Sequence, residues 1–298
     1  MWRSLLCLLS LVSGQQEVVF RASVELIRVD VQVLDGDKPV LGLKREDFIV
    51  LDEGAAQPIL EFGAEQQELD LLLALDFSAS MHMMLASMKE QARVALTRLY
   101  FRDRVGIVVF DNLPYLVIEP TWDWLAVEKA IQGIQLSRGG TELNQSVMLA
   151  AQYLRLKARP EARRGLIVLT DNIGGKAISN ARLRDALWES DVVLSAVFFP
   201  PLYAPQRGYG ANLQPSVDAT GGESIKLNDD SFDLGEILKR MRQRYGLMYR
   251  APGGKPGSVR RIKVKMADPQ HKHWKIRARS GYKVGIANSE AREKMTLR

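Results

Sequence analysis

The chain has 298 residues, of which 46% are apolar and 26% charged, enough to bury a sizeable core in one large or two smaller domains. Its one cysteine, Cys7, lies in the N-terminal leader, which excludes a disulfide framework, a thiol nucleophile and a cysteine metal site from the mature chain. The formal net charge of +6 is uneven: residues 236–298 hold 18 Lys and Arg against 4 Asp and Glu, so the preceding chain is net acidic.

Residues 1–14 (MWRSLLCLLSLVSG) join one Arg, an apolar run over 5–12, and the small residues Ser13 and Gly14. That is the layout of a short secretory signal, too short to span a bilayer, and it predicts export to the periplasm or the cell exterior. A frayed or core-packed N-terminus is the alternative. Ile27, Val29, Val31 and Val33 then alternate with Arg28, Asp30 and Gln32, the period of a half-buried strand. A turn over 35–39, a short strand over 48–51, a second turn over 52–54 and an extended stretch over 58–62 follow. So few short strands need a partner layer.

From about residue 68 the pattern changes to strands separated by helices. Strands are expected over 69–76, 105–110, 166–170, 192–198 and 223–227, with helices over 83–99, 124–135, 142–157, 178–189 and 233–244. Residues 114–121 follow the second of these strands closely and begin with Pro, which suits an antiparallel edge strand. A helical turn closes over 218–222. Such alternation implies a right-handed, doubly wound, Rossmann-like parallel sheet.

Strand patterns return at 245–249, at Ile262, Val264 and Met266, and at Trp274, Ile276 and Ala278, each with one apolar face. Packing these against the N-terminal strands would make a small β-sandwich from both chain ends, with the α/β domain inserted between them. The expected organisation is a signal peptide at 1–14, a β segment at 15–66, the α/β domain at 67–244, a β segment at 245–285 pairing with 15–66, and a disordered polar tail at 286–298. The basic terminal strands offer contact with an anionic partner or surface, or are simply a solvated face.

The chemistry concentrates at LLLALDFSASM, residues 71–81, where a buried strand runs into Asp76, Ser78 and Ser80. Ligands of open α/β sheets bind beyond the carboxyl ends of the strands. Two later stretches offer more oxygen: RGGTE, with Thr141 ahead of a helix, and GLIVLTD, a buried strand ending in Asp171. Asp76, Ser78, Ser80, Thr141 and Asp171 are candidate ligands for Mg²⁺, with Mn²⁺ and Ca²⁺ as alternatives. Helix caps and turn formers are the competing use of the same residue types.

This D-x-S-x-S, Thr, Asp set resembles the metal-ion-dependent adhesion site of von Willebrand factor A domains. The flanking DGDKPVLGL, DFIVLDEG, PILEF, RRIKVK and IRARSGY segments are similar to the bacterial von Willebrand A-related proteins described from Acidobacteria. The resemblance implies that residues 67–244 form the A domain. It implies Ser78, Ser80 and Thr141 as direct ligands of Mg²⁺, with Asp76 and Asp171 acting through water, so that a partner's carboxylate completes the octahedron. Direct binding by either Asp would disfavour the partner, giving an affinity switch.

The expected function is therefore an exported binding or adhesion module that captures an acidic side chain of a protein partner, not an enzyme and not a nucleic-acid binder. The leader argues against the cytoplasmic metal-chelatase subunits that use A domains. The alternatives are a Mg²⁺-dependent hydrolase, for which His82 or Glu142 would have to serve as base, and a scaffold with a structural metal. No G-x-G-x-x-G or G-x-x-x-x-G-K-[ST] sequence is present. The aperiodic stretch 200–215 leaves from a strand's carboxyl end, and Tyr203, Arg207 and Tyr209 on it are the expected partner-binding rim. The oligomeric state is not legible.

Overall fold

The computed structural model describes residues 26–63, 67–135, 137, 139–175, 177–201, 210–227 and 233–285. The expected leader at 1–14, the expected tail at 286–298 and the expected rim residues Tyr203, Arg207 and Tyr209 lie outside the described residues. The chain opens on β1 (Leu26–Asp35), whose Ile27, Val29, Val31 and Val33 are buried as the alternation predicts. Its other face is buried too. Asp30 and Gln32, expected to meet solvent, pack against the α/β layer, where Asp30 pairs with Arg163 at 2.9 Å and Gln32 Nε2 donates to the Arg240 carbonyl.

After β2 (Lys38–Pro39), β3 (Phe48–Asp52) turns through Glu53 and Gly54, both in the left-handed region, into β4 (Ala55–Gln57). β5 (Glu61–Gly63) ends the first β segment. The α/β layer runs β6 (Leu69–Asp76), α1 (Leu85–Leu96), β7 (Arg104–Phe110), β8 (Pro114–Thr121), α2 (Trp124–Gly133), α3 (Leu143–Lys157) and β9 (Arg163–Thr170). It continues through α4 (Asn180–Glu189), β10 (Val192–Phe198), α5 (Gln214–Thr220), β11 (Ser224–Lys226) and α6 (Leu234–Arg242). β12 (Tyr245–Arg250), β13 (Val259–Met266), β14 (Lys275–Arg277) and β15 (Gly281–Lys283) close the described chain.

Several boundaries differ from expectation. The helix expected over 83–99 is a 3-10 turn, Ala79–Met84, followed by α1, because the chain leaving β6 must first carry Ser78 and Ser80 around the strand end. The helix expected to begin at Glu142 begins at Leu143, with Glu142 as its N-cap. α5 starts at Gln214, inside the stretch read as aperiodic, and ends where Gly221 takes a positive φ of 73°. β2, β4 and β15 are only two or three residues long, too short to show a period.

The central sheet has the order β11-β10-β9-β6-β7-β8, parallel except for the antiparallel edge strand β8. Leu71, Leu73 and Leu75 of β6 face a core shared with α1, α2 and α6, while Leu72 and Ala74 face one shared with α3, α4 and α5. A strand covered by helices on both faces must be apolar without interruption, which is the reason for the run LLLAL. Each fully buried Leu contributes about 1.5–3 kcal/mol of burial. The chain progresses from β6 toward β8 and then returns to β9 on β6's other side, so the order reverses between β6 and β9.

The two β segments form one sheet of order β14-β1-β12-β5, with β2 on β1, and another of order β15-β13-β3-β4. Both sheets contribute to a single apolar core. Phe48, Phe62 and Tyr245 form an aromatic cluster in it, with centroids 5.2–6.1 Å apart. Arg261, Lys263 and Lys265 form an exposed row on β13's outer face, as their alternation with the buried Ile262 and Val264 requires. Among the described residues, no helix is long and apolar enough to cross a membrane.

Candidate metal centre

β6 and β9 are neighbouring parallel strands paired up to Leu75 and Leu169, so Asp76 and the Thr170-Asp171 pair emerge side by side where the strand order reverses. In an open α/β sheet, ligands bind in the crevice beyond the carboxyl ends of the strands at the point where the strand order reverses, which makes this the natural ligand position. Asp76 is fully buried: Oδ1 accepts the Ser78 N–H at 3.1 Å and Oδ2 accepts the Thr170 hydroxyl at 2.7 Å. The turn that follows brings the Ser78 and Ser80 hydroxyl oxygens within 3.3 Å of each other. Ser78 is buried and Ser80 half-buried.

Asp171 is also buried, and its Oδ1 accepts the Ile173 N–H at 3.0 Å. Its Oδ2 is buried without a hydrogen-bond partner among the described residues. An orphaned carboxylate oxygen of this kind calls for a partner the side chains do not supply. Burial pushes the Asp76 carboxyl up to about 7, the nearby Asp171 adds to the rise, and the Ser78 and Thr170 hydrogen bonds oppose it. Burial likewise raises Asp171, against the Ser80 hydroxyl and the Ile173 N–H. Two neighbouring carboxyls that are both costly to ionise describe a site short of positive charge.

Thr141 is buried on the adjoining loop, which backbone hydrogen bonds tie to the other strand ends. Its carbonyl accepts the Gly175 N–H at 2.7 Å, the Glu142 N–H donates to the Asp111 carbonyl at 2.9 Å, and the Ala79 N–H reaches the Gly139 carbonyl at 3.4 Å. Asp171, Ser80, Ser78 and Asp76 thus form a chain of direct neighbours, and Thr141 sits on a loop bonded to the turns on either side of them.

The donor set suits a hard cation. All five candidates present oxygen, three of them as neutral hydroxyls. Among the described residues no group of three His, Cys, Asp or Glu side chains is placed to hold a metal, so a cation here depends on the hydroxyls. With Asp171 Oδ2 unpartnered, the residues fit a divalent ion such as Mg²⁺.

Several supporting residues escape a reading of the sequence. Asp111 follows β7 as Asp76 ends β6, but its oxygens are engaged: Oδ1 by the Leu113 N–H at 3.2 Å and Oδ2 by the Ser137 hydroxyl at 2.6 Å. Ser137 Oγ in turn accepts the Gly139 N–H at 2.9 Å. A Cβ on Gly139 would lie 2.8 Å from Asp111 Oδ2, so this position admits only glycine without a shift. Gly174 is equally confined, since a Cβ there would come within 2.9 Å of the Thr141 carbonyl. The recurrence of Asp at the end of IVVFD was the available signal for Asp111.

Asn172 holds a φ of 60°, a conformation Asn tolerates better than most residues. Its side chain accepts the Leu213 N–H at 2.9 Å and meets Asn212, while the Gly174 carbonyl accepts from Gly210 and Ala211. The Phe199 N–H donates to the Thr170 carbonyl. Both stems of the segment carrying Tyr203, Arg207 and Tyr209 are therefore anchored beside Asp171. His82 is exposed on the 3-10 turn, and the Glu142 carboxylate accepts the Ala177 N–H at 3.2 Å.

A family profile described as the von Willebrand factor type A domain matches residues 71–175, the span from β6 through the turn after Asp171. No curated protein matches the chain. Among solved structures, BatB from Bacteroides thetaiotaomicron is 18% identical over 58% of this chain and 98% of its own, with a TM-score of 0.47. A von Willebrand factor type A protein from Catenulispora acidiphila is 13% identical over 82% and 75%, with a TM-score of 0.47. Proximal thread matrix protein 1 from the mussel byssus, with a zinc-occupied MIDAS motif, is 14% identical over 64% and 49%, with a TM-score of 0.48. The span from the leucine run of β6 to the turn after Asp171 is thus the part of the chain that is similar to the von Willebrand factor type A domain.

Proposed function

We propose that this chain is a metal-dependent binding module, in which Mg²⁺ held by Ser78, Ser80, Thr141, Asp76 and Asp171 captures a carboxylate of a protein partner. The observation that carries the reading is Asp171 Oδ2, buried and unpartnered beside a second buried carboxylate and two hydroxyls. A dication there neutralises both carboxyls. If the hydroxyls supply most of its inner shell, much of its charge stays uncompensated, and an acidic side chain from outside is the favourable completing ligand.

The surroundings support binding over catalysis. The Glu142 carboxylate is committed to the Ala177 N–H and His82 faces solvent, so neither is poised as a general base. The leader pattern over 1–14 supports an exported location. The organisation into a leader, two β segments at 15–66 and 245–285, the A domain at 67–244 and a terminal tail belongs to the same proposal. The test is capture of partner proteins on the immobilised chain from a periplasmic or cell-surface extract, with Mg²⁺ and with EDTA. Partners retained in Mg²⁺, released by EDTA and lost with Asp171→Ala support the reading; a retained set indifferent to all three overturns it.

A further inference from the structure

The edge strand β8 and the residue before it carry apolar side chains, on both sides of the strand, that the fold leaves exposed. Leu113, Tyr115, Leu116 and Val117 are 50%, 53%, 41% and 37% exposed, and β8 pairs only with β7 among the described strands. Exposed edges of this kind are normally blunted by charge, because their free backbone groups accept another strand. Here the regularly paired stretch Pro114–Leu116 is uncharged, and register shifts and Pro120 interrupt the edge only beyond it.

The open edge begins at the metal centre. β8 is antiparallel to β7, so its first residue, Pro114, lies opposite Phe110 at the carboxyl edge of the sheet. The Tyr115 ring stacks edge-on against Phe77 at 6.4 Å, and Phe77 is the residue between Asp76 and Ser78. The two sides of β8 differ. Tyr115 lies across from Val109, on the α1 and α2 side; Leu116 lies across from Val108, on the α3 side. On that second side Pro114, Leu116, Leu149 and Tyr153 line a groove of about 340 Å³. Further along β8, Glu119 accepts the Tyr153 hydroxyl at 2.7 Å and pairs with Lys157 at 3.2 Å.

We propose that the partner of the metal centre binds as an extended segment that adds a strand to β8 and delivers its carboxylate to the ion. This rests on the metal-binding reading and names the partner's form. Strand addition supplies backbone hydrogen bonds, and alternate side chains choose the sequence. One apolar side chain would enter the groove beside Leu116 while its neighbours cover Tyr115 and Val117. Charge sets the polarity: the proposed cation would lie at the Pro114 end, whereas Glu119 at the other is already paired with Lys157 and the Tyr153 hydroxyl.

An added strand antiparallel to β8 runs toward the carboxyl edge, so its acidic residue follows the apolar part. Strands lie about 4.8 Å apart, which puts the added strand about 15 Å from β6, a span of about four or five extended residues. The recognised pattern is therefore an alternating apolar run followed, about four or five residues later, by Asp or Glu.

The test is a phage-displayed random peptide library panned on the full chain in Mg²⁺ and eluted with EDTA. The expected outcome is enrichment of that pattern, with affinity for the selected peptides reduced about tenfold or more, about 1.4 kcal/mol, by Leu116→Lys. Leu116 is exposed, so the variant should fold and its Mg²⁺ affinity should be unchanged. No enrichment, or peptides indifferent to Leu116→Lys while Mg²⁺ still binds, overturns the strand-addition proposal alone. Failure of Mg²⁺ to bind the wild-type chain overturns it together with the metal reading.

Discussion

The Thr170 hydroxyl donates to Asp76 Oδ2 at 2.7 Å, joining the ends of two adjacent parallel strands just where the sheet reverses its order. The Thr170 hydroxyl oxygen in turn accepts the Asn172 N–H at 3.1 Å, so one buried hydroxyl orients Asp76 and starts the turn that carries Asp171. Groups that orient metal ligands typically matter about 10–100-fold in affinity. Thr170→Val, which keeps the shape and removes the hydroxyl, should weaken Mg²⁺ binding by about tenfold. Calorimetry on the folded variant checks this; an unchanged affinity would mean that Thr170 has no part in the site.

Gly139 makes the same argument from space. A methyl group there would meet Asp111 Oδ2 and the Ser137 hydroxyl, the two groups that hold the loop leading to Thr141. Gly139→Ala should lower Mg²⁺ affinity by about tenfold while the far-ultraviolet circular dichroism stays that of the wild type. Equal affinity would show that Thr141 is positioned independently of this loop.

A pH dependence follows from burial. Asp76 is held at about 7, above its ordinary 3.8, first by burial and then by Asp171. In metal-free protein the folded state therefore binds the extra proton, and the stability it contributes is complete below pH 3.8 and lost as pH rises through about 7. Thermal melting in EDTA should fall across that interval for the wild type and stay flatter for Asp76→Asn. Mg²⁺ selects the ionised carboxylate, so the stabilisation it gives should grow across the same interval. Identical slopes for the two proteins in EDTA would refute the assignment.

The sandwich offers a test of the union of chain ends. Asp52 on β3 accepts the hydroxyls of Tyr249 on β12 and Tyr282 on β15, at 2.8 and 3.0 Å, and Arg260 Nε at 2.7 Å. One buried carboxylate thus ties both sheets. Asp52→Ala leaves these donors unmatched and should cost about 3 kcal/mol in urea unfolding, whereas Tyr249→Phe should cost about 1 kcal/mol. A neutral Asp52→Ala would mean that the two sheets are held by apolar packing alone.

What the sequence disclosed follows from the range of each interaction. β6, β8 and β10 have the bounds that their composition predicts, because continuous burial and an edge proline act within the strand itself. The burial of Asp30 and Gln32 was hidden, because their partners Arg163 and Arg240 are more than a hundred residues away. Asp76, Ser78, Ser80 and Asp171 each stand at a strand end and were readable from position. Thr170 acts through its hydrogen bond to Asp76, and Asp111 and Ser137 through a hydrogen-bonded chain to Gly139 on the loop that carries Thr141, and no periodicity marks them. The 3-10 turn before α1 escaped for a related reason: residues 79–84 satisfy a helical pattern, but the path around the strand end decides their geometry.

The central claim is that Asp76 and Thr141, 65 residues apart in the chain, serve one cation. Removing the Asp76 carboxyl relieves a costly burial, and Thr141 holds its loop through its backbone carbonyl, so Ala at either position should leave the fold intact. The decisive measurement is calorimetric titration of Mg²⁺ into the wild type, Asp76→Ala and Thr141→Ala. Saturable binding to the wild type, weakened at least about tenfold, or about 1.4 kcal/mol, in each folded variant, is the predicted result. Wild-type affinity retained in both variants would contradict it.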